Sequence, residues 1–204
     1  MNPPVTIKHL GLADYPTTYA AMRAHNRAAS IDSADEIWLL EHPPVFTQGL
    51  AGKPEHILDA GDIPLVKIDR GGQVTYHGPG QLVVYLLLNM RNKGYGVKSL
   101  VRRIEQSLID LLAEYDITGE RRAGMPGVYV AQGKIAAIGL RVANHATYHG
   151  LSLNIDMDLQ PFVRINPCGY PDLPVTQMRD LGIADNMQTI AAKLVVHLKA
   201  NLYG

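Results

Sequence analysis

The chain has 204 residues, of which 47% are hydrophobic and 19% are charged, and its formal net charge is zero. This composition is typical of a globular protein with a sizeable core rather than of a disordered chain. It provides no basic excess of the kind that marks nucleic-acid-binding proteins, and the longest apolar run, residues 82–88, is far too short to span a bilayer. No signal peptide is visible at the start of the chain. We therefore expect one domain over residues 1–204, located in the cytoplasm, with no nucleic-acid or membrane partner.

The first half of the chain predicts strands around one Ala-rich helix. The helix covers residues 15–31 and has Pro16 in its first turn, where proline is favoured. Alternating or continuous apolar residues predict strands over residues 5–10, 36–41, 64–69 and 81–89. The last of these is the most apolar, so we expect it inside the sheet. Residues 42–49, which include Pro43 and Pro44, are expected to form a rigid turn after the second strand.

The second half predicts two helices that enclose three strands. Residues 99–115 carry apolar side chains at three- and four-residue spacings, and Ser99 is the expected N-cap. The three strands cover residues 128–131, 134–142 and 147–155, and a tight hairpin joins the first two. A closing helix over residues 185–202 begins with Asp185 and Gln188 spaced like a capping box. The order of elements predicts an α+β fold in which helices flank a mixed or antiparallel sheet.

A glycine-rich segment lies between two of the predicted strands, at residues 70–81, and contains four glycines and one proline. Two arrangements are compatible with it. Exposed backbone amides could bind a carbonyl, a carboxylate or a phosphate, because glycine lets a ligand approach the main chain closely. Alternatively, two ordinary turns flank a short strand. The segment does not match a standard nucleotide-binding motif.

The chain contains one cysteine, Cys168, set between Pro167 and Gly169. One thiol cannot form an intramolecular disulfide, so packing, redox chemistry, metal binding and nucleophilic attack remain open as its uses. Its neighbours place the sulfur on a turn or at the end of an element, where reactive groups are often displayed.

Lys134 opens an otherwise apolar strand immediately after Gly133. It is either a solvated lysine at the tip of a hairpin or an amine held against the sheet, where partial desolvation would let it act as a base towards a thiol. His145 and His149 would suit a metal pair on a helix, but on the predicted strand they lie roughly 13 Å apart. We therefore expect no metal site.

Four segments together resemble the lipoyl(octanoyl) transferase family, at residues 70–81, 133–139, 148–154 and 166–169. The resemblance implies an acyltransferase that moves an octanoyl group from acyl carrier protein to a lysine of a lipoyl domain, without a cofactor. It also implies an α+β module similar to that of the biotin and lipoate protein ligases. One departure follows the cysteine, where residues 175–178 read Val-Thr-Gln-Met in place of the Val-Thr-Ser-Leu common in the family.

The resemblance also implies roles for individual residues. The acyl-thioester nucleophile falls on Cys168, and the lysine that tunes it falls on Lys134. The acyl-substrate pocket falls on Arg70, Gly71, Gly72, Gln73, Val74, Thr75, Tyr76, His77, Ala137, Ile138, Gly139, Gly150, Leu151 and Ser152.

The implied acceptors are lipoyl domains of 2-oxoacid dehydrogenase complexes and the glycine cleavage H protein, and we expect a monomer. Because acyl carrier proteins are acidic, basic residues are candidate docking charges if they cluster. These are Arg102, Arg103, Arg121, Arg122 and Arg141. Three alternatives remain: an ATP-dependent lipoate or octanoate ligase of the same fold, a non-catalytic binding module, and an α+β domain with an inert thiol. The motif around Cys168 and the lack of a nucleotide signature favour the transferase.

Overall fold

The computed structural model describes residues 5–91 and 93–204, with Cys168 described by its backbone alone. The helices of this part of the chain are α1 (Tyr15–Ala28), α2 (Val97–Ala113) and α3 (Met187–Tyr203). The strands are β1 (Val5–Leu12), β2 (Asp35–Glu41), β3 (Val45–Gln48), β4 (Leu65–Lys67), β5 (Val74–His77), β6 (Gln81–Leu87), β7 (Glu120–Arg122), β8 (Met125–Val130), β9 (Gly133–Ala143) and β10 (Ala146–Asn154). Within the described residues, none of the helices combines the length and apolar character that crossing a membrane requires.

Seven strands form the main sheet in the order β1-β2-β6-β10-β9-β8-β7, and β4-β3-β5 form a small second sheet. In the main sheet β1 and β2 run parallel, and all other neighbours are antiparallel. The small sheet is also mixed, since β3 runs parallel to β4 and antiparallel to β5. The expected α+β class with a mixed, largely antiparallel sheet is confirmed, and β6 lies inside the main sheet as its apolar sequence predicts.

The main core lies between one face of the large sheet and helices α2 and α3. Apolar side chains recur at three- and four-residue spacings on both helices and are almost completely buried. They are Leu100, Ile104, Leu108, Leu111 and Leu112 of α2, and Ile190, Leu194, Leu198 and Leu202 of α3. Burial of each such side chain contributes about 1.5–3 kcal/mol. The opposite face of the sheet packs against α1.

The starts of α2 and α3 differ from the expected caps. α2 begins directly after Gly96, so Ser99 lies inside the first turn and the predicted N-cap is wrong. At α3 the N-cap is Asn186, whose side-chain oxygen accepts a hydrogen bond from the Thr189 amide at 2.9 Å. The capping box predicted from Asp185 is therefore also wrong. Aspartate and asparagine cap helices about equally well, so spacing alone does not decide between adjacent candidates.

One strand of the small sheet lies where the sequence suggested a turn, and another lies within the glycine-rich segment. β3 falls within residues 42–49, the stretch expected to be a rigid turn, so that prediction is wrong for its second half. β5 falls within the glycine-rich segment, so the short strand between two turns is confirmed, while ligand binding by the backbone amides stays a prediction. The two strands pair with each other. Strands of four residues framed by proline or glycine carry too little pattern to be recognised before their partner is known.

A layer of tyrosine and histidine rings lies between α1 and the strands β5, β6 and β10. This aromatic–histidine layer comprises Tyr15, Tyr19, His42, His77, Tyr85, Tyr148 and His149. His42 Nδ1 lies 2.6 Å from the Ala13 carbonyl oxygen, and Nε2 lies 2.7 Å from the Tyr85 hydroxyl. Because a carbonyl oxygen only accepts hydrogen bonds, His42 carries its proton on Nδ1 and accepts at Nε2.

Burial lowers the pKa values of the histidines in this layer. The pKa of His77 falls to about 3, because of burial and because His42 and Arg70 lie nearby. Burial lowers the pKa of His149 to about 4, although a hydrogen bond to Asp69 acts in the opposite direction. Burial likewise lowers the pKa of His42. The three imidazoles are therefore neutral near pH 7.

We expect the folded state to lose stability as the pH falls from 7 towards 4. An unfolded histidine titrates near pH 6.5, so between about pH 6.5 and pH 4 the unfolded chain binds protons that His77 and His149 do not bind in the folded chain. The free energy of unfolding therefore declines in this window, by on the order of 3 kcal/mol per excluded proton. Urea denaturation at a series of pH values measures the decline.

In the variant His149→Asn the free energy of unfolding should decline less steeply with falling pH, by the contribution of one histidine, because asparagine does not titrate. Asparagine also tolerates the left-handed φ of 61° at this position. The same substitution at His9, which is exposed on β1, serves as the control. An equal slope in His149→Asn and in the parent protein would show that this imidazole takes up its proton without unfolding.

Candidate active site

A cavity of about 310 Å³ opens between β5, β9, β10 and the start of α2. Its walls contain most of the residues that the family resemblance assigns to the acyl pocket. Those that line it are Arg70, Gly71, Gly72, Gln73, Val74, Thr75, His77, Ala137, Ile138, Gly139, Gly150, Leu151 and Ser152. Lys134 lines the same cavity. The fold thus brings three separate segments of the sequence to one place.

Tyr76 is the predicted pocket residue that does not line the cavity. Its ring centroid lies 5.6 Å from that of Phe46 and 5.5 Å from that of Phe162. Successive side chains of a strand point to opposite faces, and Thr75 and His77 take the cavity side of β5. Tyr76 therefore packs in the core of the small sheet and does not face the cavity.

Arg70 is a buried cation in the cavity wall, held by oxygen atoms of the protein. Its Nη2 donates to the Thr47 carbonyl at 2.7 Å and to the Thr47 Oγ1 at 3.0 Å, and its Nη1 donates to the Gly71 carbonyl at 2.9 Å. The Gly71 amide donates to the Leu140 carbonyl at 3.0 Å, which fastens the glycine-rich segment to β9. A Cβ at Gly139 would lie 2.9 Å from Arg70 Cδ, so this close approach requires glycine.

Strand β10 is distorted beside the cavity at His149, whose φ of 61° is left-handed. The Thr147 hydroxyl adds to the main-chain bond between the Thr147 amide and the Leu88 carbonyl at 2.9 Å, because it accepts from the Leu88 amide at 3.0 Å and donates to the Leu86 carbonyl at 2.5 Å. The His149 ring contacts Asp69, with 3.3 Å between Nε2 and Oδ1. The cavity thereby gains an imidazole in its wall.

The Asp69 carboxylate joins three elements next to Arg70. It accepts hydrogen bonds from the hydroxyls of Tyr19 at 2.7 Å and Tyr148 at 2.5 Å, in addition to its contact with His149. Burial alone would raise the pKa of Asp69, but the hydrogen bonds from these three side chains lower it below its usual value. Asp69 is therefore ionised at neutral pH and ties α1 and β10 to the glycine-rich segment.

The two histidines considered as a metal pair are separated in the fold. His145 lies exposed in the turn between β9 and β10, whereas His149 is buried against Asp69. Across residues 5–91 and 93–204, with the Cys168 side chain left out, no group of three or more His, Cys, Asp or Glu side chains could hold a metal ion.

Lys134 is buried, with 4% of its surface exposed. Its Nζ donates to the Pro126 carbonyl at 3.0 Å and lies 5.2 Å from the ring centroid of Tyr129. A Cβ at Gly127 would lie 2.8 Å from Lys134 Cε, so glycine makes room for the lysine chain. Of the two arrangements considered from the sequence, the structure has the amine held against the sheet.

The backbone of Lys134 is held by a distant segment. Its amide donates to the Pro174 carbonyl at 2.8 Å, and its carbonyl accepts from the Thr176 amide at 3.0 Å. A Cβ at Gly133 would lie 2.5 Å from the Pro174 oxygen, so this approach also requires glycine. The segment that follows the cysteine in sequence therefore runs alongside the start of β9.

The turn that carries Cys168 borders the same site. It is a single turn of 3-10 helix at Pro167–Gly169. Pro167 and Lys134 line one small space, and Tyr170 lines the main cavity together with Lys134. The side chain of Cys168 lies outside the described part of the chain, so its pairing with Lys134 stays a prediction.

Sequence reasoning missed two groups of cavity residues. One group comes from the aromatic–histidine layer, and the other comes from the start of α2 and from β8. They are Tyr15, Tyr85 and His149, and Val97, Val101 and Met125. The sequence signals for these residues were weak, because a tyrosine within an apolar strand is expected to pack in the core. Val97 lies before residue 99, where the helix was predicted to begin, so the predicted helix did not include it.

Three of the five candidate docking arginines lie together. Arg121 Nη2 donates to the Arg102 carbonyl at 3.2 Å, and Arg122 follows Arg121 in β7, two residues before the cavity residue Gly124. The other two lie elsewhere. Arg103 donates to the carbonyl of a residue in α3, and Arg141 lies opposite Tyr148 towards the far end of β9.

Comparisons with known proteins agree with this geometry. Residues 14–199 match the family model for the lipoyl protein ligase A/B catalytic domain. The chain is 58% identical to the octanoyltransferase of Laribacter hongkongensis, over 96% of this chain and 95% of that protein.

Two solved structures share the fold at low sequence identity. A bipartite lipoate protein ligase from Thermoplasma acidophilum has a TM-score of 0.76 at 15% identity, over 97% of this chain and 84% of that one. A biotin protein ligase from Aquifex aeolicus has a TM-score of 0.58 at 12% identity, over 96% of this chain and 68% of that one. The expected likeness to the ligase module is confirmed. With the match across residues 14–199 and the high identity to a relative of nearly equal length, the chain belongs to the lipoyl protein ligase A/B catalytic domain family and, within it, groups with the octanoyltransferases.

Proposed function

We propose that this chain transfers an octanoyl group from acyl carrier protein to a lysine of a lipoyl domain, through a thioester on Cys168 that Lys134 assists. The observation that carries the proposal is the buried Lys134 amine, which lines the cavity together with Tyr170 and a small adjoining space together with Pro167, on either side of Cys168 in sequence. Removing a lysine amine from water is costly unless it finds partners, and a polar group placed in the wall of a cavity is a candidate to contact a ligand. The 58% identity to an octanoyltransferase supports the choice of acyl group.

In the first half-reaction, the Cys168 sulfur attacks the carbonyl carbon of the octanoyl thioester. The thiolate is the nucleophile, and a free cysteine has a pKa of about 8.5, so a group that removes the thiol proton speeds the attack. Lys134 fills this role, either by accepting the proton or by stabilising the thiolate as an ammonium partner. The carrier thiol leaves and takes up a proton. Because one thioester replaces another, the step is nearly balanced in energy and needs no ATP.

In the second half-reaction, the amine of the target lysine attacks the acyl group on Cys168. A lysine in water has a pKa of about 10.4 and must lose a proton to act as a nucleophile. Lys134 accepts this first proton, which leaves the target amine as the attacking NH₂ group. As the C–N bond forms and the C–S bond breaks, the nitrogen loses its second proton to the leaving sulfur, which returns Cys168 as a thiol. The step runs downhill because an amide is more stable than a thioester.

The cavity has a suitable shape for an acyl chain. Its volume lies near the lower end of the range for small-molecule sites, about 300–1,000 Å³. From Lys134 to Leu140 the cavity follows β9 for roughly 20 Å at the usual rise per residue. The apolar side chains of Ile138, Leu140 and Leu151 line this length. An extended octanoyl group can therefore lie along β9 with its reacting carbonyl at Lys134.

The proposal extends to the partners of the reaction. The acceptors are lipoyl domains of 2-oxoacid dehydrogenase complexes and the glycine cleavage H protein. Residues 1–204 act as one domain, as a monomer, in the cytoplasm. An ATP-dependent ligase of the same fold is the competing function, and it differs because it activates a free acid and needs no cysteine nucleophile.

Intact-mass spectrometry distinguishes these two functions. After the protein is mixed with octanoyl-acyl carrier protein, without ATP or metal, its mass should increase by one octanoyl group. The adduct should map to Cys168, be absent in Cys168→Ser and disappear when a lipoyl domain is added. No adduct, combined with ATP-dependent modification of the lipoyl domain from free octanoate, would contradict the transferase and support the ligase.

Replacement of Lys134 by methionine removes the amine and keeps most of the side-chain volume. We expect both half-reactions to slow by roughly 10²- to 10⁴-fold at neutral pH, because this is the usual contribution of a positioned acid or base. Rapid-quench measurement of acylation, and of aminolysis of the preloaded acyl-enzyme, separates the two steps. Lys199→Met, at an exposed position of α3, is the control. A normal second step in Lys134→Met would remove Lys134 from that step.

Charge reversal tests the docking of the acidic donor. Arg102→Glu and Arg122→Glu change exposed side chains beside the cavity, and together they should raise the apparent KM for the carrier protein and weaken its salt dependence. Arg121 is left in place because its Nε lies 3.2 Å from the carboxylate of the buried Glu105. Arg27→Glu, at an exposed position of α1, is the matched control. An unchanged KM at low salt would exclude this surface as the donor site.

A further inference from the structure

Gln81 and Asn154 close two of the four segments that carry the family resemblance, yet neither takes part in the proposed chemistry. Both amides are in the interior, where Gln81 is 1% exposed and Asn154 is 4% exposed. A buried amide costs free energy unless its donors and acceptors find partners. The partners of these two side chains therefore indicate what they do.

Hydrogen bonds through these amides connect the cavity wall to the strand of Lys134. Asn154 Nδ2 donates to the Thr176 carbonyl at 3.0 Å, and Gln81 Nε2 donates to Asn154 Oδ1 at 2.9 Å. Gln81 Oε1 lies 2.7 Å from His77 Nδ1. At the other end, the Thr176 amide donates to the Lys134 carbonyl at 3.0 Å.

The connection continues on the other side of His77. Thr47 Oγ1 lies 3.4 Å from His77 Nε2, and Arg70 Nη2 donates to Thr47 Oγ1 at 3.0 Å. We call the whole series the polar chain, and it consists of Arg70, Thr47, His77, Gln81, Asn154 and Thr176. It begins at the predicted acyl-pocket residue Arg70 and ends beside the strand of the predicted catalytic lysine.

The directions of the hydrogen bonds in the polar chain are fixed at both ends, because a guanidinium only donates and a backbone carbonyl only accepts. The Thr176 carbonyl requires the NH₂ group of Asn154. Asn154 Oδ1 is then left to accept from Gln81, and Gln81 Oε1 is left to accept from His77. His77 therefore carries its proton on Nδ1, and its Nε2 accepts from the Thr47 hydroxyl.

We propose that Gln81 and Asn154 are positioning residues, which hold His77 in its Nδ1–H form and tie the cavity wall to the backbone of Lys134. The kinetic consequences rest on the proposed function, whereas the state of His77 rests on the geometry alone. Loss of either amide leaves buried groups unpaired on both sides of it, so the two residues act as one unit.

The surroundings of His77 favour the neutral ring that this assignment requires. The titratable and charged groups that face it are Tyr15, His42, Arg70 and His149. None of these is a carboxylate, and the positive charge of Arg70 opposes a second positive charge on His77. A neutral imidazole has one donor and one acceptor nitrogen, and the polar chain supplies one partner for each.

Nitrogen-15 NMR of the imidazoles tests the geometry without reference to activity. The signals of His77, assigned by their loss in His77→Gln, should show the Nδ1–H tautomer in the parent protein near neutral pH. In Gln81→Met the acceptor of this proton is gone, and the tautomer preference should be lost. An Nε2–H tautomer in the parent protein, or an unchanged His77 spectrum in Gln81→Met, would overturn the proposal.

The rate of Cys168 acylation by octanoyl-acyl carrier protein tests the consequence. Gln81→Met and Asn154→Leu replace each amide by an apolar side chain of similar shape. Each should slow acylation about tenfold with an unchanged apparent KM for the donor, and the double variant should be no slower than the slower single variant. Effects that multiply in the double variant would show that the two residues act independently, against the proposal.

Asn26 provides a matched control outside the cavity. It is also a buried amide, 3% exposed, and it donates to the Ala143 and Ala146 carbonyls at 3.0 Å. Asn26→Leu should lower the urea midpoint by a similar amount and leave the acylation rate unchanged. An equal slowing in Asn26→Leu would assign the effect to general loss of stability and overturn the positioning role.

A second pair of variants and a separate readout keep the test decisive. If Gln81→Met or Asn154→Leu does not fold, Gln81→Ala and Asn154→Ala take their place, because each removes the amide without adding a charge. We expect each of these single variants to show the same loss of acylation rate, and the double variant to show no further loss. If the parent protein is not acylated at all, the proposed function fails, while the His77 tautomer still decides the geometric part.

Discussion

The burial of the Lys134 amine is the constraint on which the rest of the site depends. An amine removed from water must find its partners in the protein, and the Pro126 carbonyl supplies one at 3.0 Å. Space for the side chain depends on Gly127, and the contact of its backbone with Pro174 depends on Gly133. Two glycines that do not line the cavity are therefore needed for one lysine that does.

The other polar groups around the cavity carry little net charge. The histidines are neutral, the charge of Asp69 is met by two tyrosine hydroxyls, and that of Arg70 by carbonyl and hydroxyl oxygens. Polar groups that are satisfied by each other have little tendency to draw water into the cavity. An apolar acyl chain can therefore lie beside them while the chemistry is confined to the end where Lys134 lies.

Periodicity predicted the elements that have large apolar faces, which are the three helices and the inner strands of the main sheet. It failed for β3, which is four residues long beside proline, and for β7, which is three residues long and exposed on every residue. For β5 the short strand was one of two arrangements left open. The family motifs located most of the cavity, but not Tyr15 or Tyr85, whose surroundings look like ordinary core. The sequence left the burial of Lys134 open between two arrangements. It depends on the space left by Gly127 in the neighbouring strand and on backbone contacts with residues 174–176, about forty positions away.

The left-handed backbone of His149 stores energy within β10. The left-handed conformation costs a residue with a side chain roughly 1–2 kcal/mol of folding stability, whereas it costs glycine almost nothing. The contact with Asp69 and the hydroxyl of Thr147 hold the strand in this shape. A more stable strand and an imidazole in the cavity wall therefore impose opposite requirements at this position. Selection for thermal stability alone would favour glycine here, and the cavity wall would lose its imidazole.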